Sequence, residues 1–329
     1  MRVRRLGLAL VALFVGLQLP TSALAADKFA AEFLKIGVGA RAQGMGGAFV
    51  SLANDASAAY WNPAGLVQLD HREAMAMHAS QFGGTLAHNF GSVVIPMDSG
   101  ESRSAIGITA VLLSVDGIRV TKDAKVGEDI DGNPEIDESL IRSESAYDLA
   151  LMLTYSKSLS DRLSAGVNLK LVRQSLVSDA SSFGIGADLG FLYRPKANFA
   201  LGIRLADLTT TQLYWDSGRR ETVAPTIAVG AHTTRFLNAL RGTLTLGVNA
   251  DFAFESQEAD QFSSGSLSGN FLPGLEYWYE NAVALRLGSD GGDLTAGGGV
   301  RYRQFGVDYA FFDHSDLDAT HRISALYRF

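Results

Sequence analysis

From about residue 71 onward the chain falls into segments of about ten residues in which apolar side chains alternate with small, polar or charged ones. In "NFALGIRLAD", Phe199, Leu201, Ile203 and Leu205 fall on one face, and Ala200, Gly202, Arg204 and Ala206 on the other. "GTLTLGVNADFAFE", "SFGIGADLGFLYRP" and "QFGVDYAFFD" repeat the pattern. A period of two predicts strands, because successive side chains of a strand point to opposite faces. A soluble sandwich alternates too. What separates the two cases is the second face, which carries Gly, Ala, Asn and Thr together with Lys170, Asp188, Arg204, Asp251, Arg286, Arg301 and Asp308. Charges of both signs suit a watery barrel lumen, with the apolar face turned to lipid.

The connections support the same reading. Stretches around 116–143, 206–222 and 255–266 are long and polar, whereas "SLSD", "RPKAN" and "YEN" are short. Such alternation predicts outer loops and tight periplasmic turns. Strands are expected to begin near residues 72, 85, 103, 145, 162, 182, 197, 223, 242, 269, 281, 293, 304 and 319, about fourteen in all, an even number that returns both ends of the wall to one side. Pro273 interrupts the tenth and predicts a kink or bulge in the wall. Tyr193, Tyr277, Trp278, Tyr279, Tyr302 and Tyr327 gather near strand ends, as interfacial girdles do. The last segment, "HRISALYRF", alternates down to Tyr327 and Phe329. This ending resembles the assembly signal of bacterial outer-membrane barrels, which implies the barrel assembly machinery as a partner. The expected fold class is all-β: a transmembrane barrel over residues 71–329.

Upstream, three arginines, the apolar "LGLALVALFVGLQL" and the small residues "ALA" at 23–25 predict an export signal over residues 1–25. An uncleaved anchor is the alternative. Removing Arg2, Arg4 and Arg5 from the 28 basic residues leaves 25 against 35 acidic ones. That acidity argues against nucleic acid as a partner. Cysteine is absent, so there is no disulfide framework, thiol nucleophile or cysteine metal site. With an exported chain and a lipid-facing wall, the expected location is the bacterial outer membrane.

Residues 26–70 do not read as wall. "KFAAEFLK" can form a short helix, Asp55 or Ser57 can cap a second, and Gly37, Gly39, Gly44, Gly46 and Gly47 lie between them. Pro63 biases Asn62 away from the helical region, and Gly65 allows a sharp exit. A compact, irregular, apolar segment next to a barrel finds burial inside it, as a lumenal hatch containing short helices.

The stretch "FLKIGVGARAQGMGGAFVSLANDASAAYWNPAGL", residues 33–66, resembles the amino-terminal signature of the PorV/PorQ family, and its "NPAGL" is similar to the plug motif of FadL-type transporters. That resemblance implies a fourteen-strand outer-membrane barrel with a hatch in its lumen. It also implies that Asn62, Pro63, Ala64 and Gly65 form the hatch turn, and that Gly44, Gly46 and Gly47 make its close contact with the wall. For the FadL branch it implies uptake of a small hydrophobic molecule, with an apolar pocket near the outer end. For the PorV branch it implies work within a type IX-like protein secretion apparatus, with secretion-system proteins as partners. Whether the hatch is a fixed plug or a gate is open at this level, since both need the same residue types.

Sequence motifs for catalysis are absent, and an outer-membrane lipase, whose triad would be assembled in space rather than in sequence, is the minor alternative. G-x-S-x-G, H-E-x-x-H and a Walker lysine are absent, and no cofactor is implied. "GIGADLG", 184–190, has the wrong spacing for a nucleotide loop, and its glycines are expected to be small lumen-facing residues. "GEDIDGNPEIDES", 127–139, gathers carboxylates, but Pro134 stands where an EF-hand needs glycine, so an acidic outer loop is expected rather than a metal site.

Overall fold

The computed structural model describes residues 31–98, 102–128, 133–178, 180–254, 261–313 and 319–329. The expected export signal, 1–25, lies outside them. Fourteen antiparallel wall strands close into a barrel. In chain order these are β1 (Glu73–Gln81), β2 (Leu86–Asp98), β3 (Arg103–Val120), β4 (Arg142–Ser158), β5 (Leu163–Ser175), β6 (Ser181–Lys196), β7 (Phe199–Ala206), β8 (Thr226–Leu237), β9 (Gly242–Ala253), β10 (Leu267–Tyr279), β11 (Val283–Asp290), β12 (Asp293–Tyr302), β13 (Phe305–Phe312) and β14 (Thr320–Arg328). Closure is made by β1 and β14, in register from Glu73 opposite Arg328 to Ser80 opposite His321. The pair joins the two ends of the sheet into a ring, the condition under which strands can cross a bilayer.

Alternation does what the sequence pattern predicts. Ile108, Leu153, Leu285 and Ile323 are more than half exposed on the outer face. Lys170, Asp188, Arg286 and Asp308 are buried on the inner one. The glycines of 184–190 face inward with Asp188. We call the end carrying the turns at 159–162, 197–198, 280–282 and 303–304 the inner end, by the rule that barrel turns are shortest there. Tyr193, Tyr279, Tyr302, Tyr327 and Phe329 lie exposed around it, with the Tyr327 and Phe329 rings stacked at 5.7 Å. Trp278 departs from the expected girdle. It shares the parity of Glu276 rather than of its tyrosine neighbours, and so it turns into the lumen, 7% exposed.

Two expected outer loops are instead built from strand. Residues 206–222 are not a long loop: after a bulge at 207–210 the chain resumes pairing with β6 as Thr211–Trp215, turns, and returns as Arg220–Val223 before entering β8. Asp207 and Thr210 take positive φ in this bulge, and that breaks the alternation which would have marked the stretch as strand. Within 116–143, β3 runs on to Val120 past a bulge between Val115 and Ile118, and a small hairpin pairs Lys125–Glu128 with Pro134–Ile136. Of the acidic stretch here, residues 129–132 lie outside the described residues. Among the described residues no group of His, Asp and Glu has the makings of a metal site.

Candidate functional site

The hatch fills the lumen. Between Gly37 and Val67 every residue is buried except Asn54. Residues 33–35 lie in a single 3-10 turn, Glu32–Lys35. Two one-turn helices follow, α1 (Ala40–Gln43) and α2 (Ala58–Trp61), and then a second 3-10 turn, Pro63–Gln68. Neither of the expected residues caps α2 through its side chain: Ser57 stands at the N-cap without a side-chain cap bond, and Asp55 Oδ1 accepts from the Ser57 amide at 3.0 Å and its hydroxyl at 2.6 Å, in the turn before the helix. Helices this short do not persist on propensity. What holds them is the wall.

Side chains supply most of that hold. The Arg41 guanidinium makes a bidentate pair with Glu276 of β10, at 2.7 Å for both contacts, and reaches Asp55 at 3.1 Å. Glu276 also accepts from Arg286 Nε at 2.7 Å, and Arg286 pairs with Asp308 at 2.7 Å. Burial by itself would lower the Arg41 pKa, but Glu276 and Asp55 more than reverse this and hold it above the ordinary guanidinium value. Elsewhere the wall caps hatch backbone. Asn249 donates to the Gly47 carbonyl (2.7 Å), Asn168 to Ala59 (2.7 Å) and Arg204 to Tyr60 (2.9 Å), while Ser324 accepts from the Ala40 amide (2.8 Å) and Glu73 from Ala56 (2.7 Å). These bonds satisfy the polar groups an irregular buried segment leaves open.

The residues singled out in the sequence fall along this junction. Asn62 ties the NPAGL turn together: its Oδ1 accepts from the Ala64 amide at 3.1 Å, and its Nδ2 donates to Val50 O (2.8 Å) and Phe191 O (3.1 Å). Pro63 begins the 3-10 turn, where its missing N–H costs nothing. This turn lies against wall glycines. A Cβ on Gly190 would stand 2.1 Å from Asn62 Oδ1, and one on Gly166 2.3 Å from the Pro63 carbonyl carbon. Gly65 meets the hatch itself, at Ala53 O. Gly44 packs on Gly297 of β12, and Gly46, with φ 62°, presses its α-carbon onto the Ser289 backbone. Gly47 contacts Trp61 within the hatch and Leu272 of the wall.

Gly46 marks a seam. Strands β10 and β11 pair only from Tyr279 opposite Val283 to Gly274 opposite Gly288. Beyond that point β10 continues to Leu267 with β9 on its far side, while on the near side the short strand Phe262–Ser264 pairs with Leu267–Gly269, so only residues 270–273 have no strand partner on that flank. The Phe271 amide, aimed at this gap, donates instead to the Gln261 side chain at 2.7 Å, just before the paired residues 262–264. Alternate residues of a strand turn their N–H groups the same way, so position 273 also faces the flank, and as proline it brings no donor. The ladder to β9 passes Pro273 without a register shift, so the bulge expected there is not formed. What accompanies the proline is the end of pairing on the other side.

A chamber of about 270 Å³ lies on the outer side of the hatch and borders the seam through Leu272 and Asp290. Its floor carries Tyr60 and Trp61, at 5.2 Å and edge to face. Its wall carries Lys170, which bridges Asp188 at 2.7 Å and Asp207 at 2.5 Å, so that the 207–210 bulge delivers a carboxylate to the lumen. The pocket expected to be apolar is therefore aromatic below and ionic at the side, because inward parity places the charges of β5, β6 and the bulge there. Sequence reading missed Asp207 for want of alternation, and it missed Glu276, which shares its parity with the apolar Leu272.

A closed barrel with an apolar exterior, a polar lumen and a folded plug defines the class: a plugged transmembrane β-barrel. No protein-family model and no curated protein sequence matches the chain. Solved structures do. The chain is similar to the CymD monoaromatic hydrocarbon channel (TM-score 0.58, 16% identity, covering 89% of this chain and 98% of that one). It is also similar to a Pseudomonas aeruginosa FadL homologue (0.54, 14%, 87% and 97%) and to the Pseudomonas putida toluene transporter TodX (0.53, 16%, 88% and 96%). At these identities the likeness concerns the fold, which is that of FadL-like outer-membrane barrels.

Proposed function

We propose that the protein is an outer-membrane channel of FadL-like type that binds a small hydrophobic molecule above the hatch and passes it across the wall. One observation carries the reading: the β10–β11 ladder stops where Gly46 meets the wall, so the chamber borders a short stretch of β10, residues 270–273, that has no strand partner on that flank. An apolar solute can leave through such a seam without crossing the plug. The fold shared with channels described as carrying monoaromatic hydrocarbons supports an apolar cargo. The residues of 33–66 that resemble the PorV/PorQ signature form the floor and the seam contact. They favour a second reading, a sealed barrel serving a type IX-like secretion apparatus, to the extent that the many hatch-to-wall bonds hold the plug still.

Uptake of radiolabelled toluene by cells with and without the protein tests the first reading, and equal rates would overturn it. The hatch's role is tested by a disulfide. In G44C/G297C the new side chains start from backbones in contact, and the native chain brings no competing cysteine. Loss of uptake on oxidation, restored on reduction, marks the hatch as a gate, while uptake indifferent to the bridge makes it a fixed plug. Native mass spectrometry of the gently extracted barrel separates an apolar adduct from a retained partner protein.

A further inference from the structure

The inner side of the hatch has a chemistry the uptake reading does not use, and from it we infer a binding site for an oxyanion group, carboxylate or phosphate. A second cavity, about 480 Å³, lies between the underside of the hatch and the inner ends of β8–β10, β12 and β14. Four arginines line it, Arg41, Arg301, Arg303 and Arg328, against a single carboxylate, Glu276. Glu276 is already engaged by Arg41 on both oxygens and by Arg286. Arg328 has Glu73 at 3.2 Å. Arg301 and Arg303 pair with no carboxylate among the described residues; both lie on rings, Arg301 4.3 Å above Trp278 and Arg303 5.2 Å from Tyr302. The Arg301 Nε is buried without a hydrogen-bond partner.

A ring face stabilises a guanidinium without using its N–H groups. The Trp278 platform therefore fixes Arg301 in the cavity while leaving the edge of its fork for a ligand. Planar forks suit carboxylate and phosphate oxygens, which they bind in pairs. The hydroxyls of Thr234 and Thr245, hydrogen-bonded to each other at 3.1 Å on the same cavity wall, leave one O–H between them as a neutral donor. In a protein of formal net charge −7, two guanidiniums with no carboxylate partner among the described residues in one chamber are a local inversion of sign, and a bound anion relieves their mutual repulsion.

The site is tested by binding alone, so its outcome is separate from that of the uptake experiment. The purified barrel, in non-ionic detergent and low-chloride buffer, is titrated by calorimetry with benzoate, phenyl phosphate, inorganic phosphate and, as the uncharged control, benzyl alcohol. We expect benzoate and phenyl phosphate to bind at least about tenfold more tightly than benzyl alcohol, the scale of one charge-assisted hydrogen bond. In R301Q/R303Q that preference falls to nothing, while R219Q, in the outer turn, keeps it. Inorganic phosphate binding as tightly as phenyl phosphate would identify a free anion as the ligand, and a clear gain from the ring would identify the head group of a larger molecule. Equal affinity for benzoate and benzyl alcohol in the native barrel, or a preference unchanged in a double variant that still shows the heat-dependent gel shift of a folded barrel, overturns the assignment. If the double variant does not assemble, R303Q on the exposed turn repeats the test, with a loss of about threefold expected.

Discussion

The wall and the hatch are held by different means. Each wall strand is fixed by a ladder of backbone bonds that any side chain of the right polarity tolerates, as the unbroken registers of β1 with β14 and β9 with β10 show. The hatch has only single turns of helix, and it is fixed by individual side chains and by backbone pressed against glycine. Wall positions should therefore be forgiving one at a time, whereas hatch contacts should each matter. The seam lies where the two regimes meet: the ladder gives out, and the hatch backbone takes over.

Four substitutions break or sharpen that contrast, from the largest expected effect to the smallest. Arg41→Met leaves Glu276 with Arg286 but deprives Asp55 of its cation, and removing one member of so buried a network should destabilise the hatch by about 3 kcal/mol. Planar-bilayer recording should then show larger or more frequent openings, and a conductance like that of the native barrel would mean that the ion pair is not what holds the plug. Gly190→Val places side-chain atoms inside the NPAGL turn and should cost about 2–3 kcal/mol, read as a lower urea midpoint for the loss of heat-modifiable gel migration. Asn62→Ala removes two donated bonds and one accepted bond, with an expected cost of about 1–2 kcal/mol in the same assay and faster proteolysis within residues 37–67. Gly91→Ala is the wall counterpart. A Cβ there meets nothing within 4 Å, so stability should stay within about 0.5 kcal/mol. If Gly91→Ala proved as damaging as Gly190→Val, the distinction between ladder-held and contact-held regions would fail.

Much of the wall was legible because a strand's side-chain period is local: Leu201 and Ile203 against Gly202 and Arg204 report two faces whatever lies next to them. Legibility failed where the period itself broke. Asp207 to Thr210 bulge inward, so Thr211–Trp215 lost its phase with β7 and read as loop, although Leu213 is wholly buried and Tyr214 exposed within it. Trp278 was misplaced for a simpler reason, since residue type outweighed parity, and parity alone would have set it beside Glu276. The hatch residues Asn62 to Gly65 were recognisable as a turn, but not the wall glycines they press on, since Gly166 and Gly190 look in sequence like any small lumen-facing residue.

The sequence by itself determined, wherever the alternation is unbroken, which face of a strand turns outward and which inward, that the opening segment could not be wall, and that the chain carries no thiol chemistry. These follow from side-chain period, glycine content and residue counts, all properties of the chain near each position. Only the tertiary structure decided where the ladder ends, which carboxylates meet Arg41 and Lys170, and that Arg301 and Arg303 share a chamber with few counter-ions. Those facts depend on which strands become neighbours on closure, and pairs such as Arg41 with Glu276 are 235 residues apart in the chain.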